Sequence, residues 1–180
     1  QLVIPMSGMG KRFLEKGYKV PKPLIKVSGR PIIEHIIEMY PGITNILFIV
    51  NKIHFEDDSL DLPSYLNRIA PNSVVHTIQP HDLGPAWAIK QSEKFISLDE
   101  PVVVNYCDFA CIWNFEQFRS LLESGIDGVI ATYTGFHPHM LISTKYAYLS
   151  LNSIGNVVDI REKSSFTSNP MQEQASSGTY

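Results

Sequence analysis

Cysteine is scarce in this sequence: only Cys107 and Cys111 occur among 180 residues. Two thiols so close together do not make the disulfide framework of a small secreted domain. No second Cys or His pair stands at the spacing that would complete a zinc site around them. Long apolar runs are missing as well. ITNILFIV (43–50) is among the longest, far short of the roughly 20 residues that cross a bilayer. Charge of one sign is not in excess, since 15 Lys and Arg face 18 Asp and Glu for a net −3. That balance argues against a nucleic-acid binder or a protein of anionic membrane surfaces, so any affinity for anions must be local. Internal repeats and low-complexity tracts are absent. The sequence does not open on methionine, and its direct start on a hydrophobic strand leads to the expectation of no signal peptide. The abrupt stop at SSGTY adds to the expectation of a fragment with an incomplete C-terminus, from a cytoplasmic protein with reduced thiols.

What is present is an α/β rhythm in a chain that is 44% hydrophobic and 18% charged. At this length a single core suffices, so residues 1–180 read as one domain. LVIPM (2–6), NILFIV (45–50), SVVHTI (73–78) and PVVVNY (101–106) predict strands of a largely parallel sheet. The last of them, apolar on both faces, predicts a central strand. Behind Pro31, the residues Ile33, Ile36, Ile37 and Tyr40 fall at helical spacing on one face. A surface helix is expected near 62–70, another from Gly84-Pro85 to Phe95, and a third over 114–123. DGVIATYT (127–134) completes the repeat. From about residue 145 the pattern changes. YAYLSL (146–151) and NVVDIRE (156–162) predict an antiparallel hairpin turning at Asn152–Gly155. SSFTSNPMQEQASS (164–177) reads as a polar loop.

The first strand runs directly into Ser7-Gly8-Met9-Gly10-Lys11-Arg12. Glycines let backbone N–H groups approach a polyphosphate, and the cationic side chains neutralise it. A P-loop is excluded, because Arg12 follows Lys11 where Ser or Thr is needed. A dinucleotide fingerprint fails too, because Phe13 stands where its third glycine belongs. A second cationic element, Val20-Pro21-Lys22-Pro23-Leu24, lies on the same loop. Its prolines predict an extended segment that pins Lys22. Asp108 follows the fourth strand, where parallel sheets bind ligands; taken alone it reads better as a turn or capping residue.

IPMSGMGKRF followed by VPKPLIKVSGRPIIEHII resembles the opening signature of the sugar-1-phosphate nucleotidyltransferase family, which includes thymidylyl- and guanylyltransferases. The ordered set carries the likeness: strand, Gly-x-Gly-x-Arg, Pro-Lys-Pro, then Gly-Arg-Pro before a helix. Gln79-Pro80 with Leu83-Gly84-Pro85-Ala86 resembles the family's base- and ribose-contacting segment, with Pro85 in place of the usual Thr. Asp108 resembles its Mg²⁺-binding aspartate, whose companion would lie beyond residue 180. Arg161-Glu162-Lys163 and the Gly178-Thr179-Tyr180 ending resemble its sugar-phosphate elements.

The resemblance implies a Rossmann-like three-layer α/β fold, mostly parallel with an antiparallel C-terminal portion. It implies an Mg²⁺-dependent enzyme that joins an NTP to a sugar-1-phosphate, giving an NDP-sugar for polysaccharide or capsule precursors, and pyrophosphate. Arg12, Lys22 and Lys163 are then the catalytic cations. Ser7, Gly8, Gly10, Lys11, Gln79 and Gly84 bind the nucleotide; Glu162, Lys163 and Gly178 bind the sugar phosphate; Asp108 binds the metal. Partners are these two substrates, with a homo-oligomer left open and no role for nucleic acid or membrane. A glycosyltransferase on a related fold is the rival enzyme, but it usually carries Asp-x-Asp where Asp108 is followed by Phe109-Ala110. A nucleotide-sensing domain of the same fold is the non-catalytic rival. His137-Pro138-His139 reads as a solvated loop, His35 and His76 as packing residues, and Trp87 and Trp113 as core or rim.

Overall fold

Every residue of LVIPM is buried in β1 (Leu2–Met6); after a short antiparallel ribbon of β2 (Lys26–Val27) and β3 (Arg30–Pro31), the same holds along β4 (Ile46–Asn51). β1 and β4 pair in parallel, from Leu2 opposite Ile46 to Met6 opposite Val50. The computed structural model describes residues 1–137 and 146–180, in two compact units, Gln1–Asp127 and Gly128–Tyr180. Pro138 and His139 of the histidine loop lie outside the described residues.

In the first unit β5 (Val74–Ile78) pairs with β4, and β6 (Val103–Val104) with β1, giving an all-parallel sheet of order β5-β4-β1-β6. Side chains alternate across it. Val3, Leu47, Ile49 and Ile78 form one face with Ala88 of α5 (Gly84–Gln91), and Trp87, Ile89 and Phe95 pack around them. Leu2, Ile4 and Phe48, on the other face, are equally enclosed. Each such aliphatic side chain contributes roughly 1.5–3 kcal/mol by leaving water. The helices α2 (Ile32–Glu38), α4 (Leu62–Ile69) and α6 (Phe115–Leu122) bury Ile33, Ile36, Leu62, Leu66, Phe115 and Phe118. Tyr65 of α4 donates to Glu34 of α2 at 2.6 Å, and the Trp113 indole donates to the Met39 carbonyl at 2.9 Å.

The second unit is antiparallel. β7 (Thr132–Tyr133), β8 (Ala147–Leu151), β9 (Val157–Glu162) and β10 (Gln174–Ser176) form a sheet of order β7-β10-β8-β9. The hairpin of β8 and β9 turns where expected, with the Asn152 side chain accepting from the Ile154 and Asn156 amides.

Three expectations need correction. The segment 101–106 gives only a two-residue strand at the end of the sheet order rather than a central one. Pro101 has no N–H to give a ladder, and past Val104 the Asn105 amide bonds across to Val3 (3.1 Å) before the chain turns away. The segment 127–134 supplies β7 alone, and its partner is β10 from the far end of the chain, not the parallel sheet. Finally, 164–177 is not a plain loop. It includes a 3₁₀ turn, Pro170–Gln172, and β10. Glu173 ties it internally, accepting from the Phe166 and Thr167 amides at 2.8 and 2.7 Å and from the Thr167 hydroxyl at 2.7 Å. The polar residues there satisfy one another.

Candidate functional site

The end of β1 delivers Ser7, which is buried, and then Gly8, which is exposed. A Cβ placed on Gly8 or Gly10 would meet nothing within 4 Å, so no neighbour crowds this backbone. Gly10 adopts φ 62°, a left-handed conformation that glycine takes without strain, and that turn starts the one-turn helix α1 (Lys11–Leu14). The conformation of Gly10 is what aims Lys11 and Arg12 off the strand end. Lys11 pairs with Asp82 at 2.7 Å, whereas the exposed Arg12 guanidinium has no ion-pair partner among the described residues.

Asn51 fixes the start of this turn. Its side chain is fully buried and donates to the Ser7 carbonyl at 3.0 Å, with the Met9 sulfur also at 3.0 Å. Its carbonyl oxygen caps α3 (Lys52–Phe55) by accepting from the Ile53 amide at 3.0 Å. Asn51→Ala is expected to cost about 1–3 kcal/mol, because a buried carbonyl loses its donor. In a chain of this size that lowers the thermal midpoint by roughly 2–12 °C, which calorimetry reads directly. Asn51→Asp keeps the cap and loses the donor, so it separates the two parts.

Lys22 does not sit in an extended segment. Pro21 enters with ψ 148°, and Lys22–Leu24 then closes a 3₁₀ turn through Leu24 N–H to the Pro21 carbonyl at 2.9 Å. Pro23 is buried beneath it. The segment is pinned all the same, by turn closure rather than by extension. The Lys22 ammonium lies 5.3 Å from the Phe13 ring centroid and pairs with the Asp108 carboxylate.

Asp108 is held out on the loop after β6 by Asn105. That side chain is fully buried, accepts from the Tyr40 hydroxyl at 2.7 Å, and donates to the carbonyls of Tyr106 (2.8 Å) and Phe109 (3.2 Å). The loop around Asp108 is therefore shaped by a buried amide. Burial, and secondly the Asp108 charge, pushes the neighbouring Cys107 thiol up to about 12, which favours the protonated thiol. A cleft of about 1220 Å³ opens beside Asp108, lined in part by Val27, His35, Met39 and Trp113. None of the residues of the Gly-rich turn lines it.

Gln79 and Gly84 flank the loop that leads into α5. Gln79 is exposed, and Gly84 takes φ 82° at the first turn of the helix. Between them stand His81 and Asp82, which the motif reading passes over. The His81 ring bonds Ser7 Oγ at 3.0 Å and lies tilted against Trp87, with ring centroids 4.4 Å apart. Only their place between Gln79-Pro80 and Leu83-Gly84 marks them in the sequence.

In the second unit, Glu162 ends β9 and lies 3.4 Å from the Lys163 ammonium. Lys163 has φ 57°, and its amide donates to the Tyr146 carbonyl at 3.0 Å. Gly178 is buried with φ 82°, and its amide donates to Ser176 Oγ at 3.2 Å. The first unit thus joins Ser7, Lys11 and the loop between Gln79 and Gly84 in one group, and Lys22 and Asp108 in another.

The parallel sheet, the Gly-rich turn at the carboxyl end of β1 and the carboxylate past β6 invite comparison with known proteins. The nucleotidyl transferase family model matches residues 2–180. Mannose-1-phosphate guanyltransferase 2 of Candida glabrata is 29% identical over 136 residues, covering 72% of this chain and 37% of that protein. The UTP–glucose-1-phosphate uridylyltransferase of Bacillus subtilis is 28% identical over 195 residues, covering 97% and 65%. The chain thus spans between about a third and two thirds of the length of these two relatives. In fold, it is similar to the UDP-glucose pyrophosphorylase of Acinetobacter baumannii, with TM-score 0.73 at 20% identity over 100% of this chain and 73% of that one. Matched over nearly all of its length by the family model, the chain belongs to the nucleotidyl transferase family.

Proposed function

We propose that the protein joins an NTP to a sugar-1-phosphate, or a similar phosphorylated acceptor, releasing pyrophosphate and an NDP-sugar. The observation that carries this reading is the pairing of Lys22 with Asp108 at the carboxyl edge of the parallel sheet, on a lysine that also lies over Phe13 of the Gly-rich turn's helix. An acceptor phosphate oxygen attacks the α-phosphorus in line; the bond to the bridging oxygen breaks, and its electron pair leaves with pyrophosphate. Such a transfer asks little covalent help of the protein, so positioning and charge neutralisation supply the rate.

Arg12, exposed and unpaired by any carboxylate among the described residues, holds the β- and γ-phosphates and the leaving pyrophosphate. Lys22 steadies the α-phosphate. Ser7, Lys11 and the backbone of Gly8 and Gly10 cradle the nucleotide, while Gln79 and Gly84 meet the base. On their motif alone, Glu162 takes the sugar hydroxyls, Lys163 the acceptor phosphate, and Gly178 belongs to the same sugar-phosphate set. The relatives' names support sugar phosphates as acceptors, and their bases differ.

Asp108 offers the hard oxygen donor that Mg²⁺ prefers. Among the described residues no three His, Cys, Asp or Glu side chains gather to hold a metal by themselves. A single carboxylate fits an ion that completes its shell with water and phosphate oxygens, and Asp108 is the residue that would hold it. When bound, Mg²⁺ supplies further neutralisation of phosphate charge. We place the reaction in the cytoplasm, as a supply of polysaccharide precursors.

The test is pyrophosphate release by the full-length protein with Mg²⁺, four NTPs and a panel of sugar phosphates. One NTP and acceptor pair is expected to stand out. NTP binding with no pyrophosphate from any pair would overturn catalysis and favour a nucleotide-sensing domain.

A further inference from the structure

The Gly-rich turn is fastened by residues that lie outside its motif. His81 and Asp82, one dipeptide, reach Ser7 and Lys11, 74 and 71 positions away. The two contacts differ in kind. The Leu83 amide donates to His81 Nδ1 at 3.3 Å, which makes Nδ1 the bare acceptor nitrogen and leaves Nε2–H to donate to Ser7 Oγ at 3.0 Å. The ring is half-buried against Trp87, itself packed on the core cluster of the sheet, and Ser7 is buried. Both ring nitrogens are engaged, one on each nucleotide loop, so His81 ties the phosphate turn to the segment that starts α5.

The Lys11–Asp82 pair is looser. Its side chains are 64% and 74% exposed, and water screens the attraction. A phosphate oxygen, with more charge than a solvated carboxylate, is a better partner for the Lys11 ammonium.

We propose that His81 and Asp82 are positioning residues for the nucleotide: His81 clasps the Gly-rich turn to the loop before α5, and Asp82 holds Lys11 until a nucleotide phosphate replaces it. This rests on the nucleotidyl-transfer reading, and it predicts opposite signs for two adjacent residues. Asp82→Asn removes the competing charge and is expected to tighten tripolyphosphate binding about threefold. His81→Ala frees the turn and is expected to weaken it about tenfold. In His81→Gln the amide nitrogen still reaches for Ser7 Oγ, so most of that loss is recovered.

Calorimetric titration of the full-length protein with inorganic tripolyphosphate reads all three variants without depending on turnover. In steady state, KM for the NTP is expected to move in the same directions, while KM for the acceptor stays within about twofold. Unchanged or weaker tripolyphosphate binding in Asp82→Asn overturns the exchange. His81→Ala binding like wild type, or Gln no better than Ala, overturns the clasp. So does an equal rise in both KM values, the mark of general loosening. Should His81→Ala fail to fold, His81→Phe keeps a ring against Trp87, removes the hydrogen bond to Ser7 and is read in its place. Absence of turnover in the wild type would instead defeat the reading of function, and the tripolyphosphate titration would still decide the clasp.

Discussion

Lys22→Ala is expected to lower turnover about 10²–10³-fold while the protein stays folded, the range seen when one preorganised charge or donor is taken from a developing oxyanion. Lysine is usually a mobile surface charge, and immobilising one costs side-chain entropy. Here that cost is already met by the fold. The side chain is only 25% exposed, it rises from a closed 3₁₀ turn over a buried proline, and it lies over the Phe13 ring. A cation fixed before the nucleotide arrives needs no reorganisation as charge builds on the α-phosphate. Lys22→Arg keeps the charge but not its position or point-like shape, so partial activity is expected rather than rescue. Arg12→Ala is expected to fall by a similar factor, chiefly through loss of the grip on the leaving pyrophosphate. Pyrophosphate release gives the rate, and circular dichroism with a thermal melt checks the fold. Near-normal rates in both variants would end the phosphate-clamp assignment.

Much of this architecture is legible locally. LVIPM and ILFIV announce β1 and β4 because a parallel strand covered on both faces is apolar at every position. Ile33 and Ile36 announce α2 because burial on one side leaves a helical period. The errors have two causes, a pairing decided by distant residues and local hydrogen bonding that leaves no hydrophobic period. β7 is short and antiparallel because β10 bonds to it from over forty residues away. The stretch around Glu173 looks like a solvated loop because hydrogen bonds among its own polar side chains leave no hydrophobic pattern. The candidate site divides in the same way. Gly10, Lys22 and Asp108 stand out from their neighbours in sequence. His81, Asp82, Asn51 and Asn105 do not, because each works through a partner far along the chain, and no local period or spacing records a contact between loops.

Asp108→Asn is expected to reduce turnover at least about 10²-fold and to separate two roles that the carboxylate combines. As the partner of Lys22 it orients a cation; as a hard oxygen donor it suits Mg²⁺. Asparagine keeps the shape and one acceptor oxygen, so Lys22 retains a hydrogen-bond partner, whereas the negative charge that favours a divalent ion is gone. If the metal role holds, Mn²⁺ binding in the presence of nucleotide, followed by electron paramagnetic resonance, weakens in Asp108→Asn, and more Mg²⁺ is needed for half-maximal rate. The Lys22→Ala protein provides the contrast: it loses rate but keeps the carboxylate and frees it of a competing cation, so its Mn²⁺ binding is expected to be kept or tightened. A double variant tests whether the pair acts as one unit. Residues that work only through each other lose no more together than singly, while an independent metal role for Asp108 makes the losses compound. An unchanged metal titration in Asp108→Asn, with a double variant no worse than Lys22→Ala alone, would reduce Asp108 to the holder of a lysine.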